Sequence, residues 1–207
     1  MDALEDRSRE QFEAWAQWFD RRLGWSFSHT NRHLLRLVDP SPGSRVLDVG
    51  SGTGILLQQM NERDTGLRLF GVDIAHQMLT AARAKLPDRV ALHQGSANSL
   101  PYSSDAFDYV TCTASFHHYR DPPGALHEMH RVLRPCGRVA VLDPFTDGVL
   151  RRLVCGALEF TFRERDTALF TSEEMRDLFQ RAGFVNVSQS SYLHYKLLTL
   201  GSKPAPT

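Results

Sequence analysis

The chain has 207 residues, 24 Lys plus Arg against 24 Asp plus Glu, 23% charged and 42% apolar residues. That length suits one α/β domain, and the composition excludes a mostly disordered chain. Zero formal net charge gives no electrostatic footprint for nucleic acid or anionic lipid, and no apolar run approaches the roughly 18 residues that span a bilayer. The N-terminus, MDALEDRSRE, lacks the hydrophobic core of a signal peptide. Cys112, Cys136 and Cys155 are an odd number at wide spacing and match no zinc or disulfide framework. The expectation is therefore reduced thiols, no bound metal and a cytoplasmic location.

In chain order, residues 1–44 read as an N-terminal helical cap. Phe12, Trp15, Phe19 and Leu23 fall on one helical face, while Trp18, Trp25 and Phe27 lie off it. Two readings stand: these aromatics pack against the main sheet, or they form a lid over a ligand cleft. From residue 45, apolar runs at 45–49, 67–72, 90–93, 107–112 and 138–142 read as buried strands. Helical patterns fill 55–62, 75–86 and 123–133. This alternation implies a parallel sheet with helices on both faces. A second candidate lid spans 143–170, with Leu150, Leu153, Val154, Ala157 and Leu158 on one face; Arg163-Glu164-Arg165-Asp166 alternates in sign as a self-paired, solvated face does. Thr171-Ser172-Glu173-Glu174 opens a capped helix that Gly183 stops. Strands at 184–189 and 192–200, separated by Ser190 and Ser191, close the core (45–200) as an antiparallel pair. Residues 201–207, with two prolines, read as a frayed tail.

The informative segment is Asp48-Val49-Gly50-Ser51-Gly52-Thr53-Gly54-Ile55, an apolar strand running through three glycines into a helix. Glycine lets the backbone turn tightly and a ligand approach the main chain, and the helix start offers free N–H groups. The spacing is G-x-G-x-G. Ile55 stands where the dinucleotide fingerprint places its third glycine, and no phosphate-loop Gly-Lys-Ser/Thr follows. Asp48 suits a ligand ammonium better than a pyrophosphate. Asp73, 25 residues on at the end of the second strand, can accept hydrogen bonds from both ribose hydroxyls. Together these point to a nucleoside with an amino group and no phosphates.

On these residues the sequence resembles the class I S-adenosylmethionine-dependent methyltransferases, particularly the small type 11 branch that includes ubiquinone/menaquinone-type C-methylases. The resemblance runs from the glycine segment through Gly71-Val72-Asp73-Ile74 and Gly95-Ser96-Ala97-Asn98-Ser99-Leu100-Pro101-Tyr102. It continues through Phe107-Asp108-Tyr109-Val110, His117-His118 and Leu133-Arg134-Pro135-Cys136-Gly137-Arg138. It implies a Rossmann-like methyltransferase fold, an α/β architecture whose mostly parallel seven-stranded sheet ends in an antiparallel last strand. It also implies S-adenosylmethionine as cofactor, with S-adenosylhomocysteine as product. Carried over by residue, Gly50, Ser51, Gly52, Thr53 and Gly54 lie along the methionine portion, with Asp48 near its amino group. Asp73 holds the ribose hydroxyls, Ile74 packs beside the adenine, Ala97 and Asn98 line its edge, and Thr113 lies beside the methionine part. Ser96 stands where the family commonly has an acid. Cys136, after Pro135, implies a type I turn with Gly137 relieving the strain.

Whether a general base is needed depends on the acceptor; His117 and His118, just past the fourth strand, are the candidates. Asp121-Pro122-Pro123-Gly124 resembles the Asp-Pro-Pro-aromatic motif of nitrogen methylases, but glycine replaces the aromatic. It reads instead as a helix start with Asp121 as N-cap. The apolar lids favour a small, partly hydrophobic methyl acceptor, with neither nucleic acid nor a membrane span involved. Two alternatives remain: a nucleotide-dependent oxidoreductase on a Rossmann-type fold, and a non-catalytic cofactor-binding partner protein.

Overall fold

The computed structural model describes residues 3–148, 153, 168–193 and 195–206. A 36-residue helix, α1 (Ala3–Val38), precedes β1 (Arg45–Val49), α2 (Ile55–Arg63), β2 (Arg68–Asp73), α3 (His76–Arg83), β3 (Ala91–Gln94) and β4 (Phe107–Thr113). A short 3-10 turn (Phe116–His118) then leads to α4 (Pro122–Val132), β5 (Leu133–Pro144), α5 (Ser172–Arg181), β6 (Val185–Tyr192) and β7 (Lys196–Ser202). The strands form one seven-stranded sheet in the order β3-β2-β1-β4-β5-β7-β6, parallel except for β7, which pairs antiparallel with both β5 and β6. This is the Rossmann-like arrangement that the resemblance implies, and its parallel strands and antiparallel final pair are those the strand and helix patterns predict. The order reverses between β1 and β4, so the carboxyl ends of β1, β2 and β4 open one crevice at the switch point.

Alternation along the central strands divides the core between the two faces. Leu47 and Val49 of β1, with Val139 and Val141 of β5, join Leu126, Met129 and Phe179 on one face. Val46, Ala140 and Leu142 join Leu34, Leu35, Val38, Leu57 and Met60 on the other. Each of these buried Val, Leu, Met and Phe side chains stabilises the fold by roughly 1.5–3 kcal/mol. The N-terminal helix is therefore anchored at its end by Leu34, Leu35 and Val38, while its middle crosses in front of the crevice. Glu13 accepts from the first N–H groups of α3, at His76 (2.7 Å) and Gln77 (2.8 Å). Asp20 accepts from Thr53 Oγ1 (2.5 Å) and pairs with Lys85.

Both capping expectations hold. Asp121 accepts from Gly124 N at 3.0 Å, with Pro122 next in line, and Thr171 with Glu174 forms a reciprocal capping box. Three expectations are corrected. Gly201 and Ser202 belong to β7, opposite Val139 and Arg138, and Lys203 N donates to Gly137 O at 2.9 Å. The strand lies between two partners, so hydrogen bonds on both sides hold what reads as a tail. Ser190 and Ser191 lie inside β6, opposite Leu198 and Leu197; the turn comes later, where Leu193 takes φ 51°. Cys136 adopts φ 63°, and Gly137 does not take up the left-handed conformation. Backbone bonding to Lys203 (Cys136 N to Lys203 O, 3.0 Å) holds that geometry, at a cost of roughly 1–2 kcal/mol for a non-glycine residue. Glycine is needed at 137 for space: a Cβ there would lie 2.8 Å from Arg134 O and 3.1 Å from Asp108 O. The candidate lid over 143–170 falls largely on 149–167, which, Leu153 apart, lie outside the described residues, as do Cys155, Arg163 and Arg165.

Candidate functional site

The loop after β1 is built by three left-handed glycines, Gly50 (φ 71°), Gly52 (φ 52°) and Gly54 (φ 78°). Gly50 N (2.8 Å) and Ser51 N (3.0 Å) both donate to Val72 O, which ties the loop to the end of β2. A Cβ on Gly50 would strike the Ser115 side chain and lie 2.9 Å from the Tyr119 hydroxyl. Gly54 faces Leu86 and Ala82 and lets α2 pack on α3. At Gly52 a Cβ would meet nothing within 4 Å. Here the backbone borders open space.

That space is a cleft of about 980 Å3 including its open mouth. All the site residues expected from sequence line it except Gly54 and His117. Its floor is the carboxyl edge of β1, β2 and β4. Its roof is α1, which contributes Ser8, Phe12, Phe19, Phe27 and Asn31. Phe19 stacks on Phe27 (5.1 Å between centroids) and Phe12 meets the edge of His118 (4.9 Å). The lid reading of these aromatics thus describes three of them. Trp18 and Trp25 fit neither reading, being 53% and 82% exposed.

Two carboxyls define the floor. Asp48 is 1% exposed; Thr111 Oγ1 donates to its Oδ1 at 2.9 Å, and no cationic side chain is paired with it among the described residues. Burial pushes its pKa up to about 7, the Thr111 bond opposing and the charge of Asp73 adding to the rise. Asp73 accepts from Gly52 N (2.7 Å) through Oδ2 and from Ala75 N (2.9 Å) through Oδ1, and the Ile74 N–H also turns toward this carboxylate. Burial raises its pKa to about 6 against the pull of those bonds. At the opposite edge Ser96 Oγ accepts from Asn98 N (3.2 Å), and the Asn98 amide donates to Asp121 O (2.6 Å).

The structure separates the two histidines. His118 lines the cavity, and burial, aided by the neighbouring His117, holds its pKa well below the usual value, so the ring is neutral at physiological pH. His117 sits behind it, ring centroids 4.0 Å apart. Its Nδ1 lies 3.0 Å from both oxygens of buried Asp143, and its backbone N donates to the same carboxylate at 2.8 Å. His117 is a support and His118 a lining residue. Sequence reasoning passed over Asn31, Tyr119, Ser115 and Asp143. Asn31 carries no local motif. It is 2% exposed, lines the cavity, and its Oδ1 has no hydrogen-bond partner among the described residues.

A family model described as a methyltransferase domain matches residues 47–141, the stretch from β1 into β5 that carries the floor of the cavity. The chain is 40% identical over 124 residues to a demethylmenaquinone methyltransferase of Thermus thermophilus, covering 57% of this chain and 56% of that one. Residues 47–141 are thus similar to the methyltransferase domains of type 11. The chain is also 35% identical over 137 residues to the nocamycin O-methyltransferase of Saccharothrix syringae, covering 64% of this chain and 49% of that one. In these relatives the match spans about half of their own length. Among solved structures, the fold is shared with the chain solved in complex with the Trm112 methyltransferase activator of Haloferax volcanii. There the TM-score is 0.84 at 24% identity, over 96% of this chain and 98% of that one. No described helix is long and apolar enough to cross a membrane.

Proposed function

We propose that the protein transfers a methyl group from S-adenosylmethionine to a small-molecule acceptor held in this cavity. The observation that carries the reading is the pair of carboxyls, buried Asp48 and half-buried Asp73, near the ends of adjacent strands around a glycine with open space at its Cβ position. An ammonium group answers the raised pKa of Asp48, which has no cationic partner among the described residues. A pair of vicinal hydroxyls answers the carboxylate of Asp73, which lines the cavity at the end of β2. A dinucleotide fits less well, since a pyrophosphate beside Asp48 would bring like charges together.

When bound, S-adenosylmethionine supplies a methyl group on a sulfonium that is already an activated leaving group. The protein's work is then alignment and exclusion of water. Gly52 admits the cofactor against the backbone, Ile74 and Met78 line the cavity beside Asp73, and α1 closes over the top. Phe12, Phe19 and Phe27 give the roof an apolar, aromatic surface suited to a ring-bearing acceptor. Support for a small organic acceptor also comes from the relatives whose names refer to demethylmenaquinone and nocamycin. His118, neutral and facing the cavity, accepts a hydrogen bond from an acceptor O–H or N–H and takes its proton as charge develops. His117, fixed by Asp143, keeps that ring in place.

The test is calorimetric titration with S-adenosylmethionine and S-adenosylhomocysteine, with NAD as control. Saturable binding of both sulfur nucleosides and none of NAD is the expected result; binding of NAD alone would overturn the reading. Asp73→Ala should weaken S-adenosylhomocysteine binding by roughly tenfold or more, since a hydrogen bond to a charged group contributes about 1.5–3 kcal/mol. An unchanged dissociation constant removes Asp73 from the site.

A further inference from the structure

The outer face of α1 has no role in the cavity. Trp18, Arg21, Arg22, Trp25, Arg32 and Arg36 are all exposed, and at helical spacing they fall in one stripe roughly 100° wide and about 27 Å long. From residue 21 to the end of the helix there is no acidic residue. The flanking acids are engaged elsewhere, Asp20 with Lys85 and Thr53, and Asp39 with Arg63. The two tryptophans are held for display. Arg21 lies over the Trp18 ring (5.8 Å), and Trp25 stacks on His29, which stacks on Tyr192 at the end of β6. Beyond Tyr192 the turn presents Leu193, 44% exposed. A surface of paired tryptophans, an exposed leucine and uncompensated arginines costs hydration if left bare. Trp prefers the boundary between water and hydrocarbon, and an arginine stripe along a helix complements anionic headgroups.

We propose that this face of α1 docks the protein on an anionic lipid surface, with Trp18, Trp25 and Leu193 entering the headgroup layer and the four arginines pairing with phosphates. A protein interface would also use Trp and Arg. The absence of any acidic residue along this half of the helix favours a uniformly anionic plane over a mixed polar partner. The opposite face of the same helix is the cavity roof, so docking would place the cavity alongside the bilayer without any spanning segment. The inference stands independently of the proposed methyl transfer.

The experiment is co-sedimentation of the full chain with vesicles of phosphatidylcholine alone, or mixed with phosphatidylglycerol, at low and high salt. Tryptophan emission is followed in parallel. Binding to the anionic vesicles only, weakened by salt and accompanied by a blue shift, is expected. Arg21→Gln with Arg22→Gln should lower that binding roughly tenfold, and Trp18→Ala with Trp25→Ala should lower it and remove most of the blue shift. S-adenosylhomocysteine affinity and the circular dichroism spectrum should be unchanged in both, because none of these side chains lines the cavity or joins the core. No binding to anionic vesicles would overturn the proposal, as would equal binding to neutral ones. So would folded variants that bind as the parent does, or binding of a single-stranded RNA oligonucleotide through these arginines in place of vesicles.

Discussion

Asp48 carries the sharpest conflict between stability and use. Its ordinary carboxyl pKa of 3.8 rises to about 7 on burial. Between about pH 4 and 7 the unfolded chain ionises at this position while the native state keeps its proton. The native state then binds more protons, so stability falls as pH rises through that window and levels off above about 7. Asp48→Asn should flatten this decline in a melting-temperature series without ligand. The ligand reverses the sign. An ammonium group binds the ionised carboxyl, so affinity for S-adenosylhomocysteine should climb from pH 6 to 8 in the parent and stay low and flat in Asp48→Asn. A parent affinity independent of pH would detach Asp48 from the amino group. Asn31 shows the same tension in a neutral group. Leaving a buried amide oxygen unpaired costs about 1–3 kcal/mol, so Asn31→Leu should raise the melting temperature while lowering methyl transfer. A lower melting temperature with full activity would mean that the oxygen serves the fold alone.

At the scale of elements, α1 is one helix with two attachments of different strength. Its last turns bury Leu34, Leu35 and Val38 in the large cluster, whereas its middle rests on Ala75 and Met78 through the smaller cluster of Phe12, Trp15, Ala16 and Phe19, with polar contacts from Glu13 and Asp20. Asp20→Ala removes one hydrogen bond and one partly exposed ion pair, a loss of about 1–2 kcal/mol. Amide exchange should therefore quicken across residues 8–27 and stay slow across 31–38. Equal acceleration along the whole helix would show that it opens as a single piece. Element boundaries were legible wherever local chemistry marks them, as at the Thr171 box and the Asp121 cap. They were not legible at Cys136 and Gly201, where pairing with a strand distant in sequence sets the conformation.

For the whole molecule, the end of α1 shares one apolar cluster with β1, β5, α2 and α3, so cap and core should melt together in one transition. S-adenosylhomocysteine at a hundredfold excess over its dissociation constant should add about 2.7 kcal/mol, a rise of roughly 5–10 °C. A separate early transition assigned to α1 would show the cap to be an independent unit. Net charge belongs to this scale too. Twenty-four charges of each sign cancel over the chain, yet folding lines four arginines along one helix face and turns the acids of that region toward partners of their own. A sum over composition carries no information about that separation.

Read alone, the sequence determined the alternation of strands and helices, the antiparallel close of the sheet, and the loop with its two acids. Each is written in contiguous residues: side-chain periodicity follows from backbone geometry, and Gly50 to Gly54 sit where only a turn can form. It also named one floor of the cavity, Asp48 and Asp73 from the strand ends where they sit, Ser96 and Thr113 through the family resemblance. The tertiary structure decided what lies opposite. It drew Phe12, Phe19, Phe27 and Asn31 over that floor, set His117 behind His118, and left Trp18 and Trp25 outside. Those outcomes depend on which face of a single long helix meets the sheet. Helical periodicity in a segment aromatic on several sides does not choose between faces; the buried trio Leu34, Leu35 and Val38, by docking on β1 and α2, does.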